Sequence, residues 1–281
     1  FGPLKRYCPW LDAENLKNLD ARWGLERATG PFKHPILFGC AFGTFIPLIY
    51  FLRLTKGFWK KGSYFFCFVA LFGGLSSMSS GSWVMLITTI FCLVMEKLKK
   101  WVKPLLYLGI FSCISVGIVS NRPFYHVIVS YANPIGGGGW HRARIIDAAI
   151  ENFDEWWLNG YGGIDPGWGR YTGMSKSDIT NEFILAGTRY GIWGVIALII
   201  VLIKSYRVLF ELYQKYQSPI IKSLCWSFGT ILTATIITWQ SVSYFGQLMS
   251  VFYCTLGIIG SMPLIATSMA HPKYRAIKAA K

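Results

Sequence analysis

An all-α, polytopic membrane helical bundle of about seven spans, with one large extracytoplasmic loop containing an amphipathic helix, is the fold class that this sequence predicts. Three observations predict it. The 281 residues are 53% hydrophobic and 17% aromatic, and their mean hydropathy is positive. Their apolar residues gather into runs long enough to cross the roughly 30 Å hydrocarbon core of a bilayer. The basic residues fall in short clusters between those runs, which is the pattern of loops that mark membrane sidedness. Finally, one long polar interval, 134–194, interrupts an otherwise apolar chain, and polar connections are where specific chemistry concentrates.

In chain order, residues 1–34 read as a polar extracytoplasmic N-terminal segment. Four spans follow within 35–120, expected at 35–54, 63–78, 83–95 and 104–119. A large periplasmic loop with interfacial helices occupies 121–189. Three further spans lie within 190–270, expected at 190–203, 220–242 and 248–269, before a basic cytoplasmic tail at 271–281. The turns between spans two and three (SSMSSGS) and between spans six and seven (SYFGQ) carry no charge. The segments 53–61, 97–103, 204–222 and 273–281 hold four Lys or Arg each. That alternation places the four basic segments in the cytoplasm and the N-terminal segment, the small turns and the long loop opposite. The chain opens at Phe1 with neither an initiator Met nor a charged leader before a short apolar run, so no signal peptide is expected in it, and upstream spans are expected to precede it. Six of the seven Cys lie in apolar runs and only Cys8 lies outside, which argues against a disulfide framework and against a metal cluster.

A net charge of +15 raises the possibility of nucleic acid, but its distribution between apolar runs argues for membrane lipids as the partner and against nucleic acid. The identity of the cation also changes with side. The four cytoplasmic segments hold thirteen Lys and three Arg, whereas the N-terminal segment and the long loop through Arg189 hold four Lys and eight Arg. Lysine serves as a point charge against anionic lipid, while arginine presents a planar fork of donors suited to phosphate. The outer Arg set is therefore either an anion grip or an ordinary surface set paired with the eleven outer carboxylates.

Within the long loop, GGGG at 136–139 is a stretch where backbone can lie close to a ligand. WHRARIIDAAIENFDEWWLNGYGG then reads as an amphipathic helix lying along the membrane surface, with Ile145, Ala148, Ala149, Phe153 and Trp156 at helical spacing. Gly160, Gly162, Gly163, Pro166 and Gly167 mark a tight loop after it. Farther on, Asp178 is placed to cap a helix with Asn181 and Glu182 in its first turn. Asp178, Glu182, Leu185 and Arg189 would then share one face as the helix enters the bilayer, where ionisable groups are costly and are functional candidates; capping and intrahelical pairing is the alternative reading. The aromatic residues Trp140, Trp156, Trp157, Trp168, Tyr161 and Tyr171 are suited either to stacking on sugar rings or to anchoring at the headgroup level.

RATGPFKHPILFG (27–39) is similar to the outer Arg-x-x-Gly-x-Phe-x-x-Pro segment of the O-antigen ligase and O-antigen polymerase family of bacterial envelope glycosyltransferases. The portion from Arg144 to Gly162 resembles that family's Arg-led helix ending in a Gly-x-Gly loop, and TNEFILAGTRYGIWG resembles the polar-to-Gly-x-x-Gly helix that follows. Two positions depart from the pattern: Thr180–Asn181 stands where family ligases commonly carry His-Asn, and Ser77-Met78-Ser79-Ser80-Gly81 lacks the Arg of Ser-x-Ser-Arg-Gly. The resemblance implies a multi-pass protein of the bacterial cytoplasmic membrane, with its active site facing the periplasm or exterior. Such a protein joins a polyprenyl-diphosphate-linked oligosaccharide to a glycan or lipid acceptor in O-antigen or exopolysaccharide synthesis, with no cofactor and no metal. It implies Arg27, Arg142, Arg144 and Arg189 as holders of the donor diphosphate, Asp178 and Glu182 as candidate bases, and His34, His141, Asn181, Gly160 and Gly162 in support. Polymerase is favoured over ligase or protein O-oligosaccharyltransferase. The rival from another class is a transporter or flippase of an anionic lipid-linked glycan, against which stand spans nearly free of charge and the lack of a visible internal repeat.

Overall fold

In a computed structural model of the chain, residues 21–121, 123–131 and 139–270 are described. The expectations for residues 1–20, for positions 136–138 of the glycine run and for the basic tail 271–281 lie outside them. Helices dominate: α1 (Pro35–Phe51), α2 (Phe58–Leu75), α3 (Ser80–Lys97), α4 (Val102–Val119), α5 (Phe124–Tyr131), α6 (Gly139–Glu151), α7 (Phe153–Trp156), α8 (Gly169–Thr172), α9 (Glu182–Lys215), α10 (Pro219–Thr238) and α11 (Gln247–Ala270). Six stretches have the length and hydropathy of a membrane span: Pro35–Leu54, Ser80–Lys97, Lys99–Val119, Glu182–Lys215, Pro219–Thr238 and Gln247–Ser268. The chain is a multi-pass, all-α membrane protein. The expected second span, α2, is a full helix, but Lys60, Lys61 and Gly62 in its first two turns hold its apolar content below that of the six.

The bundle has two ends. One gathers residues 21–34, the short turns 76–79 and 239–246, and the polar interval 139–181; the other gathers Arg53 and Lys60, Lys61, Lys97 and Lys99. We call them the loop end and the lysine end. α1 and α10 form the centre, packed on each other and on α3, with α9 and α11 closing one side. Among the fully enclosed side chains of this core are Leu37, Met85, Ile231, Leu232, Leu248 and Ile259. α4 stands apart, with none of its residues buried.

Small residues set the closest approach, as they do between helices in a lipid environment. In α1, Gly39 lies against Ser77 and Ser82, and Gly43 against Met85, so a side chain at either would collide with α3 or the turn before it. Pro47 in α1 has no N–H to give to the carbonyl of Gly43, four residues back. Thr89 Oγ1 donates to that carbonyl instead at 3.2 Å, and Ser227 Oγ from α10 donates to the Pro47 carbonyl at 3.1 Å. Each buried hydroxyl thus satisfies a backbone acceptor where no water is at hand. At the lysine end, Arg53 Nη2 joins Glu96 at 2.7 Å and Ser223 Oγ at 3.2 Å, tying α1, α3 and α10 together.

α9 is longer than the expected 190–203. It continues past Lys204 because Ser205, Leu209 and Leu212 keep a buried stripe on one face, and it ends before Ser218–Pro219. Asn181 is its N-cap, accepting from Phe183 N at 2.9 Å and Ile184 N at 3.1 Å. Asp178 lies three residues upstream, outside any helix, so it neither caps this helix nor shares a helical face with Glu182 and Arg189. Asn181 holds the better geometry because its side-chain oxygen reaches the free N–H groups of the first turn.

Gly191, with φ 67° and ψ −167°, kinks α9. The end of the interfacial segment docks on this kink backbone to backbone: Ile192 N donates to Trp157 O at 2.7 Å, and Tyr161 N donates to Thr188 O. A Cβ at Gly191 would strike the Leu158 carbonyl, and one at Gly160, also at positive φ, would strike the backbone at Thr188–Gly191. The Gly191→Ala substitution is expected to destabilise the fold by at least about 1–3 kcal/mol from the backbone conformation alone. Its check is limited proteolysis: cleavage at 158–165 should appear in the variant under conditions that leave the wild type intact.

Candidate functional site

The polar interval builds its own small core from Ile145, Ala148, Ala149, Trp156, Trp168 and Ile179. The apolar face expected to lie on the membrane is therefore spent largely on protein. Two details differ from the helical pattern. α6 ends at Glu151, and Asn152, whose side chain donates back to Ala148 O at 2.7 Å, breaks the helix. Phe153 is consequently out of phase and exposed, while Trp156 is buried and donates through Nε1 to Ala149 O at 2.8 Å. Trp168 is fully enclosed and so is not presented to a sugar ring, whereas Trp140 and Trp157 are exposed.

Residues 21–34 lie across the turn between α2 and α3. Trp23 and Gly24 both have positive φ, and Arg22 and Leu25 exchange two backbone hydrogen bonds of 3.0 Å, so the chain reverses there in a tight hairpin-like turn. Trp23 meets Trp83 edge to face at 6.0 Å, and Ala28 N donates to Ser76 O at 3.0 Å. This positions Arg27, whose Nε donates to Ser77 O at 3.3 Å. From the other side α6 brings Arg142, whose Nη2 reaches Ser80 Oγ at 3.5 Å. The turn they share holds Met78 at φ 47°, a left-handed conformation that non-glycine residues adopt at an energetic cost and that clusters at functional sites. Ser77, Ser79 and Ser80 are all buried there.

The electrostatics place these side chains within reach of one another. His34 caps α1, its Nδ1 accepting from Ile36 N at 3.2 Å, so the neutral ring carries its proton on Nε2. Burial, with Arg27 and Arg22 beside it, lowers its pKa to about 4 against an opposing pull from Asp178. The ring is thus uncharged at neutral pH, with an N–H left at Nε2 to donate. His141 is lowered by burial and by Arg142, again opposed by Asp178, and its Nε2 is enclosed with no protein hydrogen-bond partner among the described residues. Burial and the neighbouring Arg22 also lower the pKa of Arg142, with Asp178 acting in the other direction. Burial is the first cause of each lowering and a neighbouring arginine adds to it, so Arg22, Arg27 and Arg142 share one half-buried place; among the described residues, exposed Asp178 is the carboxylate whose field reaches His34, His141 and Arg142. Among the described residues, positive charge exceeds negative charge in this half-buried place, an imbalance that an anion would relieve.

Of the residues expected from sequence, Arg27, His34, His141, Arg142 and Asp178 come together here. Arg144 does not: it projects from α6 toward Asp147 at 3.6 Å and lies over the Trp140 ring at 5.6 Å. Asp147 also accepts from Tyr125 OH at 3.0 Å and lies 2.8 Å from His126 Nε2, fastening α5 to α6. Arg189 is exposed on α9. Glu182 is 8% exposed, accepts from Tyr244 N at 2.7 Å, and through its own N–H holds Trp239 O at 3.0 Å. With Asn181 donating to Gln240 Oε1 at 3.3 Å, it fixes the α10–α11 turn. That turn in turn seats Val242 against Gly81, one residue from Ser80. Gly160 is a docking contact, and Gly162 is an open turn at φ 63° where an added Cβ would meet nothing within 4 Å. Arg22 is the residue that sequence reasoning missed; its signal was the Trp-Gly pair, which forms the reversal but is a weaker mark of one than Asn-Gly.

No protein-family model matches this chain, and no curated protein matches it in sequence.

Proposed function

We propose that the chain is a membrane glycosyltransferase that polymerises lipid-diphosphate-linked oligosaccharide repeat units at the extracytoplasmic face of a bacterial membrane. The observation that carries this reading is the meeting of Arg22, Arg27 and Arg142 over the buried Ser77–Ser80 turn, beside Asp178, at the end of a bundle of membrane-length helices. A lipid-linked donor arrives from within the bilayer with its diphosphate at the surface, and this group lies beside the ends of membrane-length helices, next to Pro35 and Ser80. The family resemblance at 27–39 and 180–194 points the same way. Where family members carry an Arg within the turn, this chain has Ser80, and Arg142 from α6 reaches Ser80 instead.

In the reaction, an acceptor hydroxyl oxygen forms a bond to the anomeric carbon of the donor. The bond from that carbon to the diphosphate oxygen breaks, and its electron pair leaves with the diphosphate. The three arginines neutralise the charge that develops on the leaving group, an effect that grows as the bond lengthens and so lowers the barrier. Neutral His34 offers an N–H donor to the same anion. The Asp178 carboxylate takes the hydroxyl proton, the role of a general base. Glu182, already engaged by Tyr244 N, positions the turn behind the site.

The test is the profile of envelope polysaccharide from cells carrying the intact protein as wild type or Arg142→Ala, at matched membrane levels. Loss of long polymer with single repeat units retained is the expected result. Intact polymer stranded on its lipid carrier would instead assign transfer to a lipid or protein acceptor, and an unchanged profile would overturn the site. Undecorated, untranslocated repeat units held on the cytoplasmic face would favour a flippase.

A further inference from the structure

The lysine end holds a cavity that the proposed reaction does not use. α1, α2 and α3 close tightly toward the loop end, where Gly73 and Gly74 of α2 admit Phe42 and Leu86. Toward the lysine end a cavity of about 530 Å³ remains. Ile46 and Tyr50 of α1 form its floor, Phe68 of α2 one wall, and Ile90 and Val94 of α3 the other. Phe68, Ile90 and Val94 are themselves exposed, so the cavity opens sideways between α2 and α3, toward the hydrocarbon of the membrane.

Its charge is confined to one place. Lys97, at the last turn of α3, is the only ionisable cation in the lining, and among the described residues it has no hydrogen bond or ion pair. Its neighbours are committed. Arg53 is paired with Glu96 at 2.7 Å and stacked on Tyr50 at 3.8 Å, and Lys99 donates to Tyr213 OH at 2.5 Å. Glu96, the nearest acid in sequence, is therefore already neutralised.

We infer that this groove binds an acidic phospholipid from the leaflet at the lysine end, one acyl chain lying between α2 and α3 and the anionic headgroup meeting Lys97. The volume falls in the range of about 300–1,000 Å³ typical of small-ligand clefts. Apolar lining alone would not prefer this occupant to any other lipid, because hydrocarbon tails are as apolar as the walls. The selection comes from Lys97, a free cation at the depth where the apolar run ends, with Lys99, Lys100 and Lys103 continuing the positive surface beyond it.

The intact protein in lipid nanodiscs, with a photoactivatable acyl chain on phosphatidylglycerol or on phosphatidylcholine, tests this. The phosphatidylglycerol probe should label peptides spanning 67–71 and 90–98 about fivefold more than the phosphatidylcholine probe, the preference that one lysine near an anionic surface gives. Lys97→Gln should abolish that preference while leaving overall labelling in place. Ile90→Trp, or Val94→Trp should the first perturb folding, should fill the groove and remove labelling by both probes. Equal labelling by the two lipids, a preference that survives Lys97→Gln, or labelling indifferent to the tryptophans would overturn the inference. So would crosslinks joining the groove to a second copy of the chain or to another segment of the same chain.

Discussion

Replacing Arg142 by alanine is expected to slow transfer by about 10²–10³-fold, the scale set by removing one donor from a group that stabilises developing negative charge. Arg142 emerges from α6 into a half-buried place where, among the described residues, its one hydrogen-bond contact is Ser80 Oγ at 3.5 Å, too long to satisfy a guanidinium. Its remaining donors are available to an incoming anion. Arg142→Lys should recover little of the loss, because a point charge does not reproduce a planar fork against phosphate. Arg27→Ala and Arg22→Ala should each slow transfer as well, and the three effects should fall short of additivity because the side chains act on one anion. Arg144→Ala is the internal control. It removes a contact with Asp147 and Trp140 on an exposed face, so stability should change by no more than about 0.5 kcal/mol and the rate should be nearly unaffected. Single-turnover transfer from a synthetic lipid-diphosphate donor, measured with the five purified full-length variants, checks these rates. If Arg144→Ala proved as damaging as Arg142→Ala, the anion would have to sit on the α5–α6 side instead.

Both arginines stand two residues apart in HRAR, and that is why sequence alone could not separate them. On a helix, neighbours two apart face nearly opposite directions. The hydrophobic pattern of α6 does locate the buried face at Ile145, Ala148 and Ala149. Which flank of that face meets the rest of the protein depends on where residues 21–34 and the α2–α3 turn lie, and this is tertiary information. The spans were legible for the opposite reason: a membrane helix needs only length and hydrocarbon, and the four-Lys/Arg segments separate the runs cleanly. The boundaries that were missed follow from local chemistry that hydropathy does not weigh. α9 runs through Lys204 because a buried stripe continues beneath the charges, and α2 begins at Phe58 with lysines in its first turn because snorkelling side chains tolerate that depth. In the sequence, Gly187 and Gly191 stand within the Gly-x-x-Gly-like stretch TNEFILAGTRYGIWG. In the fold, Gly187 makes room for Trp156 and Gly191 for the Leu158 carbonyl, so these glycines anchor the interfacial segment to the membrane helix.

Asp178→Asn and Glu182→Ala, two changes at acids four residues apart, are expected to fail in opposite ways. Asp178 is exposed, lies outside any helix, and faces His34, His141 and Arg142. No hydrogen bond within the described residues depends on its carboxylate, so its amide should leave the amount of folded protein unchanged. The loss should appear in the transfer rate, by about 10²–10⁴-fold, as for removal of a general base. Glu182 is buried, and its carboxylate receives the Tyr244 N–H at 2.7 Å. Its truncation leaves that buried donor orphaned, at a cost of about 1–3 kcal/mol, and loosens the turn that presses Val242 onto Gly81. Glu182→Gln keeps an acceptor oxygen and should restore most of the stability. The two readouts are thermal unfolding in detergent and single-turnover rate on the fraction that remains folded. A stable Glu182→Ala protein with no transfer would move the base to Glu182 and leave Asp178 as a field that holds the arginines; an active Asp178→Asn protein would have the same consequence. The stability half of the expected combination, a folded Asp178→Asn beside an unstable Glu182→Ala, follows from burial and hydrogen bonding; the loss of transfer in Asp178→Asn follows from its proposed role as base.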